Sequence, residues 1–234
     1  MIKRMVITLS VLFFLFLVLF GIYKLMNARN FQVFGGLTSH VDTKEKVVAV
    51  TFDDGPTGNV DALLPVLKKY HAKGTFFLIG NELEKNMSEG KKLVEAGHQI
   101  GNHTFSHKRM IFKSPSFIKQ ELKKTNALIR QTGYKGEIDL RPPNGKKLIG
   151  LPYYANKFHM DTITWSLEPD TYYTSVEDKV NYIVKNAKPG SIILFHPMYN
   201  KTGNELKSVE KTLDALSKKG YRFVTVNELQ KMRK

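Results

Sequence analysis

The chain has 234 residues and no cysteine. A disulfide-stapled scaffold and every zinc site built on thiolates are therefore excluded, and any metal has to be held by His, Asp and Glu. It has no internal repeat and no low-complexity block. Acid is absent from residues 1–30, which carry Lys3, Arg4, Lys24 and Arg29. It is scarce elsewhere too: 36 Lys and Arg stand against 21 Asp and Glu, and +11 of the net +15 belongs to residues 31–234. Such a surplus favours an anionic neighbour, whether nucleic acid, phospholipid headgroups or a wall polymer. No aromatic-and-basic RNA-binding pattern accompanies it, so nucleic acid is not an expected partner. With 42% hydrophobic and 24% charged residues the composition is globular, not disordered.

One long apolar run is present. Residues 5–23, MVITLSVLFFLFLVLFGIY, are 19 residues without a charge, which at about 1.5 Å per helical residue matches a hydrocarbon core of ~30 Å. Lys3 and Arg4 precede it as in a signal sequence, but the run is longer than a usual signal core and no small-x-small cleavage site follows. The expectation is an uncleaved signal anchor over residues 1–24, single-pass in the cell membrane, with the remainder outside the cell. Residues 25–45, with Gly35 and Gly36, read as a linker, and residues 46–234 as one folded domain.

Within that domain, VVAVTF (47–52), GTFFLIG (74–80), HQIGNHT (98–104), DTITWSL (161–167), SIILFHP (191–197) and YRFVTV (221–226) have the β-branched and aromatic content of strands. Helical periodicity lies between them. Residues 60–71 place Val60, Leu63, Leu64, Leu67 and Tyr70 on one face, residues 116–131 do the same with Phe117, Ile118, Leu122, Leu128 and Ile129, and residues 176–187 and 205–219 are also amphipathic. This alternation predicts an α/β protein with a mainly parallel sheet, open or closed into a barrel, with function at the carboxyl ends of the strands.

The residues at those ends are chemically suggestive. TFDDGP (51–56) puts Asp53 and Asp54 where a strand meets a Gly-Pro turn, and neighbours in extended chain point opposite ways, so the two can do different work. A plain turn or helix cap would use Asp54 equally well. HTFSH (103–107) sets His103 and His107 four apart, the spacing that brings two imidazoles to one side of a helical turn. With a carboxylate from another strand end, they match two-His, one-carboxylate hydrolytic metal sites that keep a position open for water. RPPNG (141–145) supplies a permanent cation, Arg141, and a rigid turn presenting the Asn144 N–H; LFHP (194–197) ends a strand on His196, either a buried core histidine or a general acid.

TFDDGP, H-x-x-x-H, R-P-P-x-G, a Trp segment and L-x-H occur in that order, and through them residues 46–234 resemble the polysaccharide deacetylases of the NodB-homology type, carbohydrate esterase family 4. The resemblance implies a distorted (β/α) barrel of about seven strands. It also implies a hydrolase that removes N-acetyl groups from an N-acetylglucosamine-type cell-wall polysaccharide, peptidoglycan first, with chitooligosaccharide or acetylated xylan as alternatives. Carried over by position, Asp53 is the general base, steered by Arg141, and His196 is the general acid. Asp54, His103 and His107 hold a divalent metal, zinc before cobalt or nickel. Trp165 and Leu194 form the acetyl pocket, the Asn144 N–H is an oxyanion donor, and Pro143 stands where some members carry a hydroxylated proline.

Two departures stand out. Asn144 replaces a usual aromatic residue, which removes side-chain stacking on a sugar but keeps the backbone donor. The family commonly has Asp three residues after the Trp to orient the acid histidine, whereas this chain has Glu168 there, which leaves Glu168, Asp170 and Asp161 as candidates to tune His196. A catalytically weak, membrane-tethered glycan-binding protein is the main rival, though binding alone would not call for Asp53, Arg141 and His196 together. A metallophosphatase would ordinarily use a second metal and more carboxylates.

Overall fold

In the computed structural model, which describes residues 1–233, the first half of the chain runs α1 (Ile2–Asn27), β1 (Leu37–Thr38), β2 (Val47–Asp53), α2 (Val60–Lys69), β3 (Thr75–Leu78), α3 (Gly80–Lys85), α4 (Met87–Glu95) and β4 (Gln99–Asn102). The second half runs α5 (Pro115–Gln131), α6 (Gly150–Lys157), β5 (Thr162–Ile163), α7 (Val176–Asn186), β6 (Ile192–Phe195), α8 (Asn204–Lys218), β7 (Arg222–Val224) and α9 (Val226–Lys231). The six expected strands and four expected amphipathic helices are present. The remaining helices of the domain, α3, α4, α6 and α9, have six to nine residues each, too few turns for periodicity to reveal.

β2 is the central strand, and all of its residues are buried. It pairs in parallel with β3 along one edge, with β6 along the other and, through Val47–Ala49, with β7. β4 adds to β3, the Leu140 bridge joins β4 to β5, and the Leu167 bridge returns to β6. The strands thus close into a distorted parallel barrel of seven strands. Period-two alternation in β2 divides the core: Val48, Val50 and Phe52 pack outward with helix residues such as Leu63, Leu67, Leu213 and Leu216, while Val47 and Ala49 pack inward with Phe77, Ile163, Trp165, Ile192 and Leu194. Each fully buried aliphatic side chain of this kind contributes roughly 1.5–3 kcal/mol. Asp53 has the inward parity, so β2 delivers its carboxylate to the barrel interior at the carboxyl end.

Three of the helices are capped at their starts by polar side chains. Ser114 and Ser175 accept from Phe117 N and Asp178 N at the starts of α5 and α7, and Thr225 with Glu228 forms a reciprocal capping box on α9.

α1 stands apart from this core, with none of its residues buried. It is long and apolar enough to cross a membrane. The stretch expected as a linker is not a free tether: β1 pairs in parallel with β5, His40 bridges Ser191, and Thr38 and Val41 are buried. The reason is local. Gly35 adopts φ 74° against Asn156, and the absence of a side chain at Gly36 lets the backbone pass Asp161, so the two glycines that suggested flexibility are instead points of close approach.

Candidate active site

Arg141 is the centre of the constellation and is completely buried. Its Nη1 donates to Asp53 Oδ1 at 2.8 Å and to Thr51 Oγ1 at 2.7 Å, Nη2 donates to Thr164 O at 3.1 Å, and the guanidinium lies 4.1 Å over the Phe77 ring. A guanidinium held by these bonds and by Nε donating to Ile163 O locks one oxygen of Asp53 and leaves Oδ2 facing His103 Nε2 at 3.7 Å. Burial alone would push the Asp53 carboxyl up; Arg141, with His103 and His196, outweighs it and holds the group below the usual carboxylate range.

Asp54 follows with φ 73°, a left-handed step that turns its carboxylate into the same cavity as Asp53 instead of away from it, as simple strand alternation predicts. His103 and His107 also meet there, but not on a helical turn. They lie on a loop reversed by positive φ at Thr104 (64°) and His107 (54°). Glu121 of α5 holds that loop, accepting from Phe105 N, Ser106 N and Ser106 Oγ, and Asn102 Oδ1 accepts from Thr104 N. Both lie outside the motifs that the sequence reading singled out.

The protonation pattern follows from the partners. His103 Nδ1 is 2.7 Å from Arg141 O, and a carbonyl can only accept, so Nδ1 carries a proton and Nε2 is the nitrogen left to face the cavity. His103 Nε2 is 3.2 Å from His107 Nε2 and 3.8 Å from Asp54 Oδ1, and His107 Nε2 is 3.4 Å from Asp54 Oδ1. Asp54 Oδ1 is buried without a hydrogen-bond partner. Ligand atoms at about 2.1 Å around a tetrahedral ion lie about 3.4 Å from one another, so these Lewis-basic atoms fit a small divalent cation. Burial and the neighbouring His103 lower the His107 pKa, which favours the neutral, metal-binding ring.

On the far wall, His196 Nδ1 lies 3.0 Å from Asp170 Oδ2, and Asp170 Oδ1 is paired with Lys179 at 2.7 Å, which also contacts Glu205 of α8. Burial lowers the His196 pKa, but the Asp170 hydrogen bond and the Asp53 and Asp54 charges outweigh it and raise it to about 9. The ring is thus protonated at neutral pH. Among the acids proposed to tune His196, Asp170 makes the contact. Glu168 Oε2 instead accepts from Trp165 Nε1 at 3.0 Å, and Asp161 accepts from Gln230 next to the amino end of β5.

A cavity of about 400 Å³ is lined by Asp53, Asp54, His103, His107, Asn144, Trp165, Glu168 and His196, together with Arg29 and Thr171. Asn144 sits on the rim in left-handed conformation (φ 54°), where its Oδ1 accepts from Arg109 Nε at 3.2 Å, and Pro143 is buried beneath it. Leu194 does not line this space; it is 1% exposed in the apolar cluster with Trp165 and Phe77. Arg29, outside the expected domain, does line it, 4.8 Å over the Trp165 ring and 3.1 Å from Glu168 Oε2. No motif marks Arg29 in the sequence.

Known proteins resemble this chain in sequence and in fold. The chain is 34% identical over 205 residues to a peptidoglycan-N-acetylglucosamine deacetylase of Bacillus cereus, covering 86% of this chain and 96% of that one. The fold matches the crystal structure of the Bc1960 peptidoglycan N-acetylglucosamine deacetylase with a TM-score of 0.78 at 27% identity, over 84% of this chain and 94% of that one. It also matches a family 4 carbohydrate esterase pseudoenzyme from Bacillus anthracis with a TM-score of 0.76 at 26% identity, over 87% and 71% of the two chains. Fold likeness alone therefore does not separate active from inactive relatives, and the residues in the cavity have to do so. A polysaccharide deacetylase family model matches residues 40–163, the stretch that holds Asp53, Asp54, His103, His107 and Arg141, and with the full-length relative this establishes that the chain belongs to the polysaccharide deacetylase family.

Proposed function

We infer that this protein is a metal-dependent hydrolase that removes N-acetyl groups from an N-acetylglucosamine-type cell-wall polysaccharide, peptidoglycan above others, and that α1 holds it in the cell membrane with the domain outside. The carrying observation is that one cavity brings together a cation-ready donor set, a carboxylate oxygen left free by Arg141, and a protonated histidine on the opposite wall. The full-length likeness to a deacetylase of peptidoglycan supports the substrate class.

Asp54, His103 and His107 would hold the ion; zinc suits two imidazoles and a carboxylate, and cobalt and nickel are compatible. When bound, such an ion activates water and polarises a carbonyl. Asp53 accepts the water proton at Oδ2, because Oδ1 is engaged by Arg141. As the water oxygen bonds to the acetyl carbon, the Asn144 N–H on the rim donates to the oxygen on which negative charge develops. Asp170 engages His196 at Nδ1, so Nε2 delivers a proton to the departing nitrogen. The C–N bond breaks, and acetate and a free amine leave. Trp165, held by Glu168, walls the acetyl group, and Leu194 supports that wall from below.

Full-length protein supplied with zinc is expected to release acetate and free amine in equal amounts from N-acetylglucosamine oligomers and from peptidoglycan. His103→Ala should lose bound metal and acetate release together. Undiminished release by metal-free His103→Ala protein would overturn the reading.

A further inference from the structure

The segment that joins α1 to the domain is built into the active site. Lys147 N donates to Met26 O at 3.3 Å, Lys146 Nζ and Lys147 Nζ reach Asn27 Oδ1 and Ala28 O, and Thr164 Oγ1 donates to Arg29 O at 2.5 Å. Lys147 is 1% exposed, so its stem is packed and its ammonium is committed to that chain. Arg29 then lies against Trp165 and Glu168 inside the cavity. The contacts begin before α1 ends at Asn27, run through Arg29, and resume at Gly36, whose carbonyl accepts from Thr162 N, on entry to β1.

This arrangement sets a distance. The apolar run ends at Tyr23, and from there to Arg29 the chain climbs four helical residues and two extended ones, a rise of about 13 Å at most. Flanking residues have an interfacial character. Phe31, Val33 and Phe34 are exposed directly after Arg29, and Phe34 meets the exposed Tyr153 of α6 edge-on, with ring centroids 5.5 Å apart. In a chain anchored by α1, aromatic and apolar side chains at that height find their partner in the headgroup layer of the bilayer.

We propose that residues 26–34 dock the cavity mouth onto the outer membrane surface, so that the enzyme acts on acetylated glycan held at the bilayer by a lipid and not on wall material at a distance. The proposal rests on the deacetylase reading and on α1 spanning the membrane. A free linker would let the domain sample a shell tens of ångströms deep; a chain tied at Met26, Asn27, Ala28 and Arg29 cannot.

The test uses full-length protein in vesicles and a variant that combines a 20-residue Gly/Ser spacer between Lys24 and Leu25 with Phe31→Ser, Val33→Ser and Phe34→Ser, which removes both the short rise and the exposed apolar contacts with the headgroups but leaves Met26–Arg29 tied to the domain. Three probes are compared: soluble N-acetylglucosamine oligomers, the same oligomers coupled directly to a phospholipid headgroup in the vesicles, and isolated peptidoglycan added outside. The variant is expected to leave the soluble oligomers unaffected, to lower turnover of the lipid-coupled oligomers several-fold, and to raise turnover of peptidoglycan. Equal behaviour of the two proteins on the latter two probes would overturn the docking. Trp165 is the chain's single tryptophan and lines the cavity, so energy transfer from it to a dansyl-labelled headgroup reads the height without any turnover. It should be strong in the parent and fall in the variant, and unchanged transfer would also overturn the proposal. Loss of acetate release from all three probes with transfer intact would instead fault the deacetylase reading.

Discussion

The two ends of the barrel use the same kinds of residue to opposite effect. At the amino ends of β3 and β4 the Gln99 carboxamide is engaged on both sides: Oε1 accepts from Thr75 Oγ1 and Asn227 N, and Nε2 donates to Asp139 Oδ2 and Asn227 Oδ1. Burial and the nearby Asp161 push the Asp139 carboxyl up to about 7. At the carboxyl ends, Asp54 Oδ1 is buried with no donor, and imidazole nitrogens converge beside it. Both ends are buried and polar. Polarity therefore does not mark the functional end; a convergence of acceptors without donors does, because such an arrangement is costly until a cation joins it.

That contrast can be broken from either side. The largest effect is expected at Asp53, where Asn keeps the shape and the Arg141 contact at Oδ1 but removes the proton acceptor. Asp53→Asn should bind close to the parent's metal while kcat falls by about 10³-fold; a parallel loss of metal, measured on the purified protein, would make Asp53 a ligand instead. A smaller effect is expected across the cavity. Asp170→Asn removes the charge that helps raise His196 to about 9, so the ring loses its proton at lower pH. The alkaline limb of the kcat/KM profile should move toward acid, with a loss of about ten-fold at pH 8 that shrinks at lower pH. A uniform loss across pH would mean that Asp170 only positions the ring.

At the opposite end the effect should appear in stability and not in turnover. Asp139 has a folded pKa raised from 3.8 to about 7, so the folded state holds a proton that the unfolded chain has lost. Its contribution is complete below the unfolded value and is lost as pH rises through about 7. Asp139→Asn keeps an acceptor for Gln99 and removes that titration. Its unfolding free energy at pH 8 should exceed the parent's by on the order of 4 kcal/mol, the gap should nearly close at pH 4, and activity should hold. A gap that does not depend on pH would mean that Asp139 is already charged in the fold.

Asp53, Asp54, His103 and His196 were legible because each sits at the end of an apolar run, and a run of buried strand followed by a polar turn has few places to go in a parallel barrel. His107 was named by its spacing from His103 and Arg141 by the R-P-P-x-G motif; one cavity is lined by all of these but Arg141, which reaches it through Asp53. The relations among them were less legible. His103 and His107 meet through left-handed turns and not a helix, since Glu121 of α5 ties the loop between them. Leu194 and Trp165 share a motif neighbourhood, yet only Trp165 reaches the cavity, because Leu194 points inward one layer below.

What the amino-acid order determined by itself is the alternation of strand and helix, the apolar span of residues 5–23 and the chemical identity of the cavity: spacing and side-chain type are local properties. Which acid serves His196, and what becomes of residues 25–45, only the tertiary structure decided. Glu168, Asp170 and Asp161 are equivalent as neighbours of Trp165 in sequence, but β5 and the turn after it send them to the indole, the imidazole and the barrel's other end. Arg29 reads as a tether residue until residues 139 positions further along bring Glu168 beneath it. A contact of that separation depends on the closed barrel, whose packing energy is spread over the whole core and is written in no single segment.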